Sequence, residues 1–205
     1  GCGKIGSAIA YTLMQTGWFT DIVLIDPDVL STLPQRQISN GLAESVKMAL
    51  TSDSELFSLF ERADEPTDYL EDIILASLKI KKAVVEEDER EAGLRKILNF
   101  GHTLGHGIEA NSGMEEYLHG ECVAMGMLPV AAPKVRERLV PVLEKLSLPT
   151  VYGGDIDAAL SLVTHDKKCD GDKISIVLVK EIGSCVIEKM EAESFSRLVK
   201  DWYQK

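Results

Sequence analysis

From Pro34 to about Thr164 the apolar residues keep the spacing of a helix, which restricts most of this chain to a fold of packed helices. Ile38, Leu42, Val46 and Ala49 form the first stripe, with Pro34 near its opening turn. Ser52 and Glu55 read as a capping box for a short helix through Phe60. Thr67 opens a longer helix through Leu70, Ile73, Ile74, Ile80 and Val84. A further helix is expected from about Glu89 to Ala110. It contains Gly93, Gly101 and Gly105, each unfavourable in a helix by about 1 kcal/mol, so close packing or a ligand beside the backbone is expected there. After a loop from Asn111 to Leu118, His119 to Arg138 is helical with interruptions at Pro129 and Pro133. A short helix from Pro141 to Leu146 follows, and Asp155 caps another that reaches Thr164. Only then does the pattern change. Ile174 to Val179 and Cys185 to Ile187 flank Ile182-Gly183-Ser184, a β-hairpin signal, and a helix from Ser194 to Tyr203 closes the chain.

The first 26 residues have another character. Gly1 to Thr16 reads as a glycine turn feeding a small-residue helix, and Ile22 to Ile25 as a short buried strand ending at Asp26-Pro27. Gly1, Gly3 and Gly6 form a GxGxxG pattern with Asp26 twenty residues after Gly6. That spacing suits a pyrophosphate on a helix N-terminus and an acid on a ribose. The stretch resembles the opening of lactate and malate dehydrogenases without its first strand. The expected fold is mainly α, a helical domain over 27–205 with a small C-terminal β-hairpin, preceded by a βα-type fragment over 1–26.

Charge and cysteines narrow the function. A formal charge of −11 argues against a nucleic-acid partner, because phosphate backbones require a net basic surface. A small anionic substrate stays compatible through a local cationic cluster. Cys2, Cys122, Cys169 and Cys185 are scattered, as free thiols in a reducing compartment would be. No apolar run has the length of a membrane span, so a cytoplasmic protein with no membrane partner is expected.

Several clusters carry chemistry. Glu44 and Lys47 share a helix face away from the apolar stripe, which reads either as a solvated pair or as part of a site. Asn99, His102, His106 and Glu109 follow at spacings of three, four and three. The histidines are either satisfied by neighbouring carbonyls or divided between metal ligation and proton transfer. His119-Gly120-Glu121 sits at a loop-to-helix junction. Glu44, His102 and His119 together would make a three-ligand site with positions left for substrate or water, and His106 would remain free for acid–base work. Lys47, Lys81, Arg95 and the Lys167-Lys168 pair are either ordinary solvated cations or the lining of an anion site.

From about Asp26 to the C-terminus, the stretches DPDVLSTLPQRQISNGLAESVKMAL, EEDEREAGLRKILNFGHTLGHGIEA, HGECVAMGM and DKKCDGDKISIVLVKEIGS resemble 3-dehydroquinate synthase. The resemblance implies conversion of 3-deoxy-D-arabino-heptulosonate 7-phosphate to 3-dehydroquinate and phosphate in the shikimate pathway, with NAD+ and Zn2+, or Co2+ in its place. It implies Glu44, His102 and His119 as metal ligands and His106, Lys47 and Lys81 as catalytic groups. Arg95, Asn99 and Lys167 would bind the substrate. An anionic sugar phosphate and a second copy of the chain are the partners it implies. A complete member also carries a large N-terminal NAD-binding domain, so this chain is expected to be inactive alone. Three other readings remain open: a related sugar-phosphate cyclase, a non-catalytic remnant that binds metal or a partner and, from residues 1–26, an NAD-dependent 2-hydroxy-acid dehydrogenase.

Overall fold

A computed structural model describes residues 25–90, 93–113, 116–166 and 173–203, with side chains not described at 164–166. The chain divides into two compact units, Gly1–Leu33 and Pro34–Lys205. In the first unit the described part is a 3-10 turn, Pro27–Thr32. Asp26 caps it by accepting the Asp28 N–H at 3.1 Å. The expected glycine turn, helix and strand at Gly1 to Thr16 and Ile22 to Ile25 lie outside the described residues, apart from Ile25.

The second unit is helical, as its apolar period requires. Helix α1 (Gln35–Ser52) buries Leu42, Val46 and Ala49 of the expected stripe, while Ile38 is half-buried. Pro34 stands one residue before the helix, where its missing N–H removes no bond. The next cap falls on Asp53 rather than Ser52. Its carboxylate accepts the Glu55 and Leu56 amides, each at 3.0 Å, and opens α2 (Ser54–Arg62). A 3-10 turn over Pro66–Tyr69 leads into α3 (Leu70–Glu87), anchored by buried Ile73 and Val84.

The single helix expected over 89–110 is broken. A 3-10 turn, Leu94–Asn99, ends at Phe100, and α4 starts afresh as His102–Asn111. Gly101 makes the break with φ of 76°, a left-handed conformation open chiefly to glycine. A Cβ there would lie 2.6 Å from Met127 Cγ and 2.8 Å from the Val123 carbonyl oxygen, so this turn also sits tightly against the following helix. Gly105 lies against the Cys122 backbone in the same way, whereas Gly93 has open space. Two of the three glycines therefore serve helix packing.

Helix α5 (His119–Met127) is the centre of the unit, with every residue from Gly120 to Met127 buried. Helices α1 and α4 pack on it, and α4 also contacts α7 (Ile156–Asp166). Between α5 and α7 runs α6 (Pro133–Lys145), with Pro133 in its first turn. It continues through Pro141, where a separate short helix was expected. Pro141 and Glu137, whose carbonyl it deprives of a partner, are both exposed, so water can take the lost bond. Asp155 caps α7 through the Asp157 and Ala158 amides at 2.9 and 3.1 Å. Strands β1 (Lys173–Glu181) and β2 (Ser184–Glu191) form the expected antiparallel hairpin with Val177 opposite Ile187. β1 is tied to the loop after α5, where Ala132 donates to the Val179 carbonyl at 2.9 Å. Helix α8 (Ala192–Tyr203) closes the unit by burying Phe195 and Val199. Among the described residues no helix is long and apolar enough to cross a membrane.

Candidate metal and substrate site

Three elements bring ligand-type side chains to one point. Glu44 stands in the third turn of α1, His102 opens α4, and His119 opens α5. The three offer ligand atoms that all lie within 4.8 Å of one another. Glu44 Oε1 faces His102 Nε2 at 3.5 Å and His119 Nε2 at 3.8 Å. Among the described residues this oxygen is buried and makes no hydrogen bond, an arrangement that leaves its desolvation uncompensated. A buried carboxylate oxygen aimed at two imidazole nitrogens fits a divalent cation bound by one oxygen and two nitrogens.

The protonation states suit the same role. His102 Nδ1 lies 3.1 Å from the Phe100 carbonyl oxygen, which can only accept, so the proton sits on Nδ1 and the Nε2 lone pair faces Glu44. Burial, with the Lys47 charge adding to it, lowers the His102 pKa to about 4 and keeps the ring neutral. Burial alone would raise the Glu44 carboxyl, but the Lys47 ammonium 2.6 Å away overrides it and holds the group below the usual carboxylate range. Lys47 is itself buried, and burial lowers its pKa against the opposing pull of Glu44.

The His119 backbone is held by residues that the helical pattern alone did not single out. Gly120 N–H donates to Asn40 Oδ1 at 2.6 Å. Glu121 forms a two-point pair with Arg36, at 2.6 and 2.7 Å, and accepts the Leu118 amide at 2.8 Å. Arg36 also donates to the Glu116 carbonyl at 2.8 Å, so α1 grips both ends of the turn that delivers His119. Gly120 sits where only a bare Cα fits against α1, since a Cβ there would overlap the Asn40 carbonyl oxygen.

Beside the trio opens a cavity of about 250 Å³ lined by Glu44, Lys47, Met48, Lys81, Arg95, Leu98, Asn99 and His102. Lys47, Lys81 and Arg95 therefore share the wall of the prospective ligands. Arg95 also donates to the Glu89 carbonyl at 3.0 Å, which fixes its guanidinium. Asn99 reaches the cavity from the end of the 3-10 turn, not from a helical stripe with His102. His106 is exposed and stands outside the cavity wall. Its ring lies 5.4 Å from that of His102 and 5.9 Å from that of His119. Asp26 is engaged as a cap. Gly1, Gly3, Gly6 and Lys167 lie outside the described residues.

Comparisons with known proteins bear on the fold and the family. The fold is shared with ValA, the 2-epi-5-epi-valiolone synthase of Streptomyces hygroscopicus subsp. jinggangensis 5008, solved with NAD+ and Zn2+ bound. The TM-score is 0.73 at 24% identity, covering 87% of this chain and 54% of that one. It is shared equally with a 2-deoxy-scyllo-inosose synthase solved with carbaglucose-6-phosphate, NAD+ and Co2+, at TM-score 0.72 and 22% identity, covering 86% and 55%. Residues 41–169 match the family described as 3-dehydroquinate synthase C-terminal. The 3-dehydroquinate synthase of Streptococcus sanguinis strain SK36 is 40% identical over 97% of this chain and 60% of its own length. That of Streptococcus pneumoniae strain ATCC 700669 is 37% identical over 93% and 58%. The chain belongs to the 3-dehydroquinate synthase C-terminal family. It spans about three-fifths of the length of these curated relatives. An alignment covering 97% of the chain also reaches back into residues 1–26, so similarity to the synthases is not confined to the part after Asp26.

Proposed function

We propose that this chain supplies the metal- and substrate-binding part of a 3-dehydroquinate synthase acting on 3-deoxy-D-arabino-heptulosonate 7-phosphate. One observation carries the reading. The buried, unpaired Glu44 oxygen and its two facing imidazole nitrogens stand at the edge of a cavity whose wall holds Lys47, Lys81 and Arg95. Glu44, His102 and His119 would hold Zn2+ or Co2+. A bound divalent ion supplies a Lewis acid toward substrate oxygens, and NAD+ supplies the hydride acceptor and donor.

The chain's own residues account for binding and proton handling. Lys47 pins Glu44 through its 2.6 Å pair and presents a buried positive charge to the cavity. Lys81 and Arg95 supply the cationic wall that a phosphate and a carboxylate need, Arg95 by its planar fork and Lys81 as a point charge. Asn99 offers both a donor and an acceptor to hydroxyls. His106, exposed beside the ligand trio, is the proton carrier at the substrate's reacting oxygens. Lys167 is proposed as a further phosphate-side lysine.

Turnover by the 205-residue chain alone is expected to fall far below that of a full-length relative. Hydride exchange needs a nicotinamide held over the reacting carbon, a positioning worth roughly 7–11 kcal/mol of barrier. The test is calorimetric titration of the zinc-loaded chain with the heptulosonate phosphate. Binding at one site, weakened at least tenfold in Arg95→Ala and in Lys81→Met, is the expected result. No binding, or binding indifferent to both substitutions, overturns the proposal.

A further inference from the structure

The turn that delivers His119 is fixed at its backbone by Asn40 and by the Arg36–Glu121 pair, yet none of these contacts sets the imidazole ring. Rotation about the last side-chain bond of histidine is broad and roughly two-fold, and either ring nitrogen can carry the proton. A ring with the proton on Nε2 has no lone pair to offer toward Glu44. Something must hold that proton on Nδ1.

Glu109 is in place to do so. It lies two turns after His102 on α4, and its Oε2 stands 3.2 Å from His119 Nδ1. The carboxylate accepts, Nδ1–H donates, and Nε2 is left facing Glu44 Oε1 at 3.8 Å. His102 is treated in parallel, with the Phe100 carbonyl on its Nδ1 and its Nε2 toward the same Glu44 oxygen. Both histidines of the trio thus have an oxygen behind the ring and a free nitrogen in front.

We propose that Glu109 is the positioning residue for His119, fixing its tautomer and ring orientation for metal binding. This rests on the metal site proposed above. Glu109 could instead be a ligand, since His106, Glu109 and His119 also offer atoms within 4.8 Å of one another. That second set would require His119 Nδ1 to lose its proton. With an ion already on Nε2 it would demand a bridging imidazolate, so the hydrogen bond is the favoured use of the contact.

Zn2+ affinity of the 205-residue chain, measured by competition with a chromophoric chelator, tests the proposal in wild type, Glu109→Ala, Glu109→Gln, His119→Ala and the Glu109→Ala/His119→Ala double variant. Loss of a carboxylate behind a ligating histidine typically costs about 10–100-fold in metal affinity, and Glu109→Ala is expected in that range. Glu109→Gln keeps an acceptor of the same shape without the charge and should lose less. It also serves if the alanine variant fails to fold. In the His119→Ala background Glu109→Ala should have no further effect on affinity, and it should shift the visible bands of the Co2+-loaded protein only where His119 is present. Unchanged affinity in both Glu109 variants, or an equal loss without His119, overturns the assignment. So does wild type binding two ions where Glu109→Ala binds one, which would make Glu109 a ligand. Wild type that binds no ion overturns the underlying metal site, and the assignment with it.

Discussion

Gly120→Ala perturbs the packing of α5 on α1 and the placement of His119 in one substitution. A methyl on Gly120 would overlap the Asn40 carbonyl oxygen and sit 2.8 Å from Asn40 Oδ1 and 2.9 Å from the Asn40 carbonyl carbon. Carbon–oxygen contacts settle near 3.3 Å, so the start of α5 must retreat from α1 by on the order of 1 Å. Overpacking of this kind costs about 1–3 kcal/mol. Loss of the 2.6 Å Gly120–Asn40 hydrogen bond adds about 1 kcal/mol, and alanine's better helix propensity returns about as much. The net loss of about 1–3 kcal/mol corresponds to a melting midpoint lower by roughly 2–12 °C for a chain of this length. The effect on metal binding is larger in consequence. Ligand distances tolerate about 0.2 Å, so a shift several times greater at the residue next to His119 should abolish tight Zn2+ uptake. Gly41→Ala is the control, because among the described residues nothing lies within 4 Å of a Cβ there. It should stabilise the exposed face of α1 by about 0.5–1 kcal/mol and leave metal binding alone. Thermal melting by circular dichroism and chelator competition read both quantities. If the two alanine variants melt alike and bind Zn2+ alike, the close approach of α5 to α1 does not position His119.

Further outcomes follow from the same contacts. Arg36→Met should release the turn before α5, and hydrogen exchange at the Leu118 amide, now held by Glu121 at 2.8 Å, should accelerate more than exchange at amides within α1. Cys122 is buried, and burial, with the Glu109 and Glu121 carboxylates adding to it, pushes its thiol up to about 12. It should resist alkylation at pH 8 in folded protein and react once unfolded, as peptide mass mapping would reveal. Zn2+ at a hundredfold excess over its dissociation constant should stabilise the chain by about 2.7 kcal/mol, raising the melting midpoint by roughly 5–11 °C, and EDTA should reverse this.

Glu44, His102 and His119, proposed here as one metal site, stood out in the sequence only as a combination, because each of the three motifs alone also has an ordinary structural reading. The structure brings their ligand atoms within 4.8 Å of one another. What periodicity could not reveal was the break at Gly101. Residues 94–111 carry helical spacing on both sides of it, and only tertiary packing against Met127 and Val123 selects the left-handed turn. Asn99 was accordingly placed on the wrong kind of element, although it reaches the cavity. The cap at Asp53 differs by one residue from Ser52 because both side chains can cap a helix and the local backbone decides between them. Pro141 read as a break because a sequence does not say which face of a helix meets water. Arg36, Asn40 and Glu121 were invisible as supports, since they act across some eighty residues of sequence.

Whether Glu44, His102 and His119 hold one metal ion is decided by a crystal structure of the chain grown with Zn2+, with the ion located by anomalous scattering. The expected result is a single strong peak bonded to a Glu44 oxygen and to Nε2 of both histidines at about 2.0–2.2 Å, with Glu109 retained on His119 Nδ1. A peak bonded to His119 Nδ1, Glu109 and His106, with Glu44 left aside, would contradict it.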